Sequence, residues 1–595
     1  MDNPVDEFQF AGTLEELEAK GMLVLRGRHL PILVVHDRGR VFALDNRCPH
    51  MGFPLDQGTV EDGILTCHWH HARFDVASGC TFDLWADDVP SCPVKLRGGE
   101  VWVKPTFAIG DARGHHAHRL ADGLSHRIGL VIAKSVFGLL EAGAKPADIL
   151  CQAALFGVYN RDGWSSGFTI LTALGNLVPD LGAEEVYVAL YHGARRVAND
   201  CADEAPRRER SPLTSAPDLP TLKRWFGHWA AVRHREAAER TLLTAIAAGA
   251  PPASLADILF AAETDRAFAD GGHALDFINK AFECLDLIGW EHAAQVLPSV
   301  VEGTVTARSA GESTAWRQPV DLIALLEETA PELPGLFAGA ADGPWDGHES
   351  LAHDLLADDA RAVVGALKSA IGAGAQPADL GRALAYAAAL RLARFGEANE
   401  HSDWETAHHA FTYCNAVHQA LKRIDAPSSG EGYVAAVRGV FHGAMAVYLC
   451  RYLNIPPAPI PGEGDDSLDG LPEDGAGLRA ALLDAFDRPR QVDLSARIVA
   501  RYLRDGNPAD ALIATLGRAL LREDAGFHAY QSLEAGVRQF REWEGAAPGR
   551  HILIGVTRYL AAHAPTTRSI AQTARTAAKL MRGGQVHEDV PADPS

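Results

Sequence analysis

Cys48-Pro49-His50 and, after a gap of sixteen residues, Cys67-His68-Trp69-His70 decide how the first hundred residues are read. Two thiols and two imidazoles in two short pairs make a metal-ligand set. Two neighbouring hairpin tips would deliver them to one point, each giving one sulfur and one nitrogen. The Cys-x-His spacing is tighter than in an ordinary zinc knuckle, whose paired ligands stand two or more residues apart. The flanking sequence supplies strands for such tips. Val24, Leu25, Ile32 to Val35 and Val41 to Leu44 fall in short apolar runs. Asp37-Arg38-Gly39 and Gly98-Gly99 separate such runs and predict hairpins, because glycine accepts the positive φ of a tight turn. Ala77-Ser78-Gly79 predicts a third. Residues 1–107 therefore read as a small, turn-rich, all-β domain.

These residues resemble the Rieske [2Fe–2S] domain family over roughly Leu23 to Pro105, including Asp45-Asn46-Arg47 before the first pair and Arg73-Phe74-Asp75 with Gly79 after the second. The resemblance implies one [2Fe–2S] cluster per chain, with Cys48 and Cys67 on one iron and His50 and His70 on the other. His68 and His71 are loop residues on this reading, His71 standing where many relatives have glycine. Cys80 and Cys92 are structural thiols. Respiratory members carry a disulfide beside the cluster, and the matching positions here are Phe53 and Trp69. Those members also hydrogen-bond the cluster sulfurs through a serine and a tyrosine, where this chain offers Ala72 and Phe74. Fewer donors imply a low potential, roughly −150 mV, as in the ferredoxins and oxygenases of ring hydroxylation.

Beyond residue 120 the texture changes to alanine-rich stretches with apolar residues three and four apart, which is helical periodicity. The polar segment 108–123, with Gly114-His115-His116-Ala117-His118, reads as a linker. Residues 124–582 read as an all-α domain broken at 200–220, 339–347 and at the Pro/Gly/acidic loop 456–477. Residues 583–595 read as a disordered tail. Glu141-Ala142-Gly143-Ala144-Lys145-Pro146-Ala147-Asp148 recurs near Gly249, Gly374 and Gly506, each time a helix stop followed by proline. About four pseudo-repeats of a helical unit follow from this.

Aligning the repeats on their proline brings His273, His409 and His528 into approximate register. One helix later, His192 and His442 match Glu302. If the repeats pack around a common axis, these six residues converge as a catalytic or metal site, and imidazoles with a carboxylate suit a second iron. Glu405-Thr406-Ala407-His408 has the Glu-x-x-His spacing of di-iron bundles. The competing reading makes each histidine a hydrogen-bonded core residue. The stretch from Phe411 to His418 resembles helical questin-oxidase-like oxygenases, over eight residues only, and nothing is carried over from it.

Rieske oxygenases add a mononuclear iron held by an Asp/Asn-x-x-His-x4-His run. None follows residue 120, so an ordinary ring-hydroxylating oxygenase α subunit is excluded. The chain of 595 residues has 47% hydrophobic residues and a formal net charge of −22. That charge reads against nucleic acid or an anionic membrane as partner. Nine scattered cysteines and an acidic opening, Met1 to Glu7, read as a cytoplasmic protein without a secretory signal. No Gly-rich dinucleotide fingerprint follows a strand, so electrons would come from a separate reductase or ferredoxin. The favoured reading is a redox protein passing single electrons to a fused helical, monooxygenase-like oxidoreductase domain with a small-molecule substrate. The alternative is a non-enzymatic electron carrier or redox sensor whose helical domain docks a partner protein.

Overall fold

The strand Ile32–Asp37 shows why the N-terminal sequence folds as it does. Its side chains alternate between two cores: Leu33 and Val35 join Leu44, Leu65 and Phe74 on one face, while Ile32 and Val34 join Ala43, Val101 and Val103 on the other. A strand buried on both faces needs an unbroken apolar run, as found here. The computed structural model describes residues 8–26, 31–107, 111–424, 431–463, 468–543 and 545–586. The chain forms two units, Met1–Lys145 with Ile570–Ser595, and Pro146–Ser569.

In the first unit three small antiparallel sheets stack around those cores. Met22–Leu25, Ile32–Asp37, Arg40–Asp45 and Ser91–Cys92 form one. Gln9–Thr13, Glu100–Val103 and Val94–Arg97 form the second, and Thr59–Glu61, Ile64–Thr66 and Arg73–Asp75 the third. The hairpins at Arg38-Gly39 and Gly98-Gly99 have positive φ at both central residues, the turn geometry that matches strand twist. The third predicted turn also forms, closed by Gly79 N donating to Asp75 O at 2.7 Å. It leads to a single bridge, Phe74 to Thr81, rather than to a strand.

The predicted linker is a helix, and this corrects the sequence reading. Ala112–His126 is capped by Asp111, whose side chain accepts from Gly114 N. Residues 108–110 lie outside the described residues. The polar residues that suggested a linker are spent on packing against the β-structure. Arg119 is buried and donates to the carbonyls of Leu84 and Ala86, and His115 bonds Asp87 at 3.0 Å. The His116 ring lies where a Cβ on Gly138 would stand. With the helix Gly129–Glu141 and the end of the chain, this helix belongs to the unit that holds the sheets, so the boundary falls later than expected. Of the predicted disordered tail, residues 587–595 lie outside the described residues. Residues 583–586 instead close the last helix and run past the first Cys/His loop, with Val586 N 3.4 Å from Met51 O.

The second unit is helical throughout. Each of the four Gly/Pro junctions, the first of which falls where the first unit ends in sequence and the other three within the second, is a helix stop followed by a helix start. At all four the glycine has positive φ. The residue after it donates to a carbonyl five positions back, as in Ala144 N to Leu139 O and Ala375 N to Ala370 O, the Schellman arrangement. The predicted breaks near 200–220 and 339–347 carry no regular helix between Asp200 and Leu219 or between Ala338 and His348. In the third break residues 464–467 lie outside the described residues. No described helix is long and apolar enough to cross a membrane.

Candidate functional site

The two Cys/His loops are built alike. Cys48 N donates to Phe53 O at 2.8 Å and Cys67 N to Ala72 O at 2.8 Å, the acceptor lying five residues on in each case. Gly52 N donates to Cys48 O and His71 N to Cys67 O, four residues on. Gly52 and His71 both have positive φ, 84° and 62°. This accounts for glycine as the easier residue at position 71. The Asn46 side chain braces the stem of the first loop, donating to Asp56 at 2.6 Å and accepting from Asp56 N at 2.8 Å.

This equivalence brings two thiols and two imidazoles together. Cys48 and Cys67 are buried, 3% and 1% exposed, and share a thiol hydrogen bond. The bond from Cys48 holds Cys67 down to about 6, while the same bond and burial push Cys48 up. The rings of His50 and His70 lie edge to face with centroids 4.7 Å apart. His50 Nδ1 is buried without a hydrogen-bond partner, a state that costs free energy unless something bonds it. Burial, then the neighbouring His70 ring and the Lys134 ammonium, hold His50 down to about 4, which keeps it neutral. The donor set therefore fits a cluster that takes two thiolates and two neutral imidazoles.

Around this point the predicted departures are all in place. Phe53 and Trp69 pack on one another with centroids 5.8 Å apart, and Ala72 and Phe74 are fully buried apolar neighbours. Cys80 is exposed and Cys92 buried in a strand, both as free thiols. One feature had no signal in the sequence. Lys134, from the helix Gly129–Glu141, donates to the carbonyls of Pro49 and His50. Burial draws its ammonium down to about 8.

In the helical unit the structure brings together three of the six predicted residues. His273 opens the helix His273–Ile288, His409 lies in His401–Arg423, and His528 lies in Phe527–Arg541. Their ligand atoms all lie within 4.8 Å of one another. The other three do not join them, which corrects the expected six-residue centre. His192 is fully buried and bonds Tyr530 OH at 2.9 Å. His442 is buried elsewhere, and burial lowers it to about 3. Glu302 is half-exposed beside Arg235 at 3.4 Å. Repeat register put them on matching helices, but those helices do not present matching faces to one axis.

Glu405 is the residue that repeat register missed. It bonds His528 Nδ1 and stands 3.8 Å from His409 Nε2. Burial opposes its ionisation, but the bond to His528 prevails and holds it down to about 2. The Glu405/His408 pairing fails because His408 turns away to stack on Tyr559, with centroids 4.7 Å apart. The i,i+4 spacing of His401, Glu405 and His409 was the available signal. On its far side Glu405 accepts from Tyr559 OH at 2.8 Å and lies 3.7 Å from His563.

A family model described as Rieske [2Fe-2S] domain matches residues 7–92. The ferredoxin component of biphenyl 2,3-dioxygenase from Rhodococcus jostii is 35% identical over 79 residues, covering 12% of this chain and 69% of that protein. Human apoptosis-inducing factor 3 is 35% identical over 142 residues, and the match spans 24% of this chain and 22% of that one. Among solved structures, the ferredoxin of carbazole 1,9a-dioxygenase from Nocardioides aromaticivorans IC177 has 27% identity. It covers 17% of this chain and 98% of its own, with a TM-score of 0.16.

Proposed function

Because this chain belongs to the Rieske [2Fe–2S] domain family, we propose that Cys48, His50, Cys67 and His70 hold one [2Fe–2S] cluster and that the chain uses it to pass single electrons to an oxidoreductase centre in its own helical unit. The observation that carries this reading is the matched pair of loops, which supplies two buried thiols and two adjoining imidazoles. When bound, the cluster supplies one-electron oxidation and reduction.

The protein's own residues set the conditions. Cys48 and Cys67 bind as thiolates, and their burial keeps competing thiols away. His50 stays neutral through burial. His70 and Trp69 are exposed, so the imidazole edge of the site is the side open to an electron donor, which we take to be a separate reductase or ferredoxin. Ala72 and Phe74 give no hydroxyl near the sulfurs, which holds the potential low. A low potential suits delivery of electrons to a metal that activates a small-molecule substrate.

Quantification of iron and acid-labile sulfide in the full chain tests the assignment. Wild-type protein should carry two sulfides per chain, and Cys48→Ser and Cys67→Ser should carry none. Full sulfide content in both variants would overturn it.

A further inference from the structure

The hydrogen bonds around His273, His409 and His528 decide what these three rings can hold. The Asp270 carbonyl can only accept, so Nδ1 of His273, 3.0 Å away, carries the ring proton and Nε2 carries a lone pair. The Glu405 carboxylate likewise accepts from Nδ1 of His528, and a neutral ring with that proton placed on Nδ1 presents its lone pair at Nε2. These two lone-pair nitrogens face each other at 3.3 Å. His409 Nε2 lies 3.1 Å from the same His528 atom. With the three rings neutral, a proton on His409 satisfies one of these contacts and leaves the other as lone pair against lone pair. A cation among the three nitrogens satisfies all of them.

The two separations from His528 Nε2, 3.3 and 3.1 Å, match that solution. Imidazole nitrogens bound tetrahedrally at about 2.0–2.1 Å from a zinc-sized ion stand about 3.3 Å apart. A carbonyl or carboxylate on the far ring nitrogen is the outer-shell arrangement that fixes tautomer and ring direction in metal-binding histidines. The backbone is also shaped to present His273. Phe268, Asp270, Gly271 and Gly272 all have positive φ just before it, a strained run of the kind that collects at functional sites. It is pinned by Asp270 N donating to Arg308 O at 2.9 Å and Arg308 N donating to Asp270 Oδ1 at 3.1 Å. A Cβ at Gly272 would meet the Tyr413 side chain at 3.0 Å, so this approach requires glycine. The His409 and His528 side chains keep 26% and 19% of their surface, so neither ring is sealed off from solvent.

We infer that Nε2 of His273, His409 and His528 bind one divalent first-row transition-metal ion, with Glu405 and the Asp270 carbonyl as positioning groups. Three imidazoles without a thiolate suit iron, copper, nickel or zinc. Only the choice of iron in the working protein rests on the electron-transfer reading above.

The test is metal analysis of the full-length protein with its cluster, followed by anaerobic titration of metal-stripped helical sites with Fe(II) alone and with Zn(II) alone. Wild-type protein should carry one iron beyond the two of the cluster and should bind one added ion saturably. The His409→Ala/His528→Ala double variant should lose that ion while keeping the optical spectrum of the cluster. Glu405→Gln should weaken Fe(II) binding 10- to 100-fold. A folded double variant that binds Fe(II) and Zn(II) as wild type does would overturn the site. If the double variant does not fold, absence of saturable binding of either ion by wild type would overturn it equally. Zinc in place of iron in the isolated protein would uphold the site and defeat the reading of the helical unit as electron acceptor.

Discussion

Lys134 Nζ donates to the main-chain carbonyl of His50 at 3.0 Å, so a buried cation from a helix stands against the loop that carries two of the proposed cluster ligands. Reduction makes a cluster more negative, and a nearby positive charge stabilises that state and raises the potential. Lys134→Met should lower the midpoint potential by on the order of tens of millivolts. Redox titration followed optically checks this, and an unchanged potential in a folded variant would show that the ammonium acts only as a brace.

His70→Cys should move the potential in the same direction and further, because thiolate adds a negative charge where imidazole is neutral. The variant should also show an altered EPR spectrum, if it keeps a cluster at all. An unchanged spectrum and potential would remove His70 from the ligand set.

The helical unit has a buried ion network that makes a separate stability prediction. Lys280 pairs with Glu283 at 2.7 Å and with Glu534, and Arg538 pairs with Glu534 at 2.9 Å. Lys280, Glu283 and Glu534 are all at most 2% exposed. Lys280→Met leaves two buried carboxylates with one cation between them, and should cost about 3–5 kcal/mol. Calorimetry of the helical transition checks it, and a shift in transition temperature within error would contradict it.

Glu263 predicts the pH dependence. Its carboxylate is fully buried without a hydrogen-bond partner, and burial raises it from the ordinary value of 4.5 to about 7. The folded state therefore binds the proton more tightly than the unfolded state. This group's contribution is fully present below about pH 4.5 and is lost as pH rises to about 7. Glu263→Gln removes the penalty and should stabilise the helical unit by about 3 kcal/mol at pH 8 while changing little at pH 4.5. Equal effects at both pH values would contradict the assignment.

How far the sequence could be read depended on how local the determining contacts are. The Cys/His loops and the turns at Gly39 and Gly99 are set within a few residues, and all appear where the sequence places them. The helix Ala112–His126 was misread because Arg119, His115 and His116 spend their polarity on Asp87 and on the carbonyls of Leu84 and Ala86, none of which is a neighbour in sequence. The same limit applies to the histidines. Repeat register identified His273, His409 and His528, yet it placed His192, His442 and Glu302 with them, because register fixes the helix and not the face that meets its neighbours. Glu405 was paired with His408 on its own helix, whereas its partner His528 lies 123 positions on in the sequence. No local pattern reports that contact.

The most direct test of the central claim is pulsed EPR on the chemically reduced full chain, prepared with 15N-labelled histidine. Two thiolates and two imidazoles on one cluster predict couplings from two histidine nitrogens to the reduced centre, with one of them lost in His70→Cys. A reduced centre without histidine nitrogen coupling, or no EPR-active centre in protein that carries its iron and sulfide, would contradict the account.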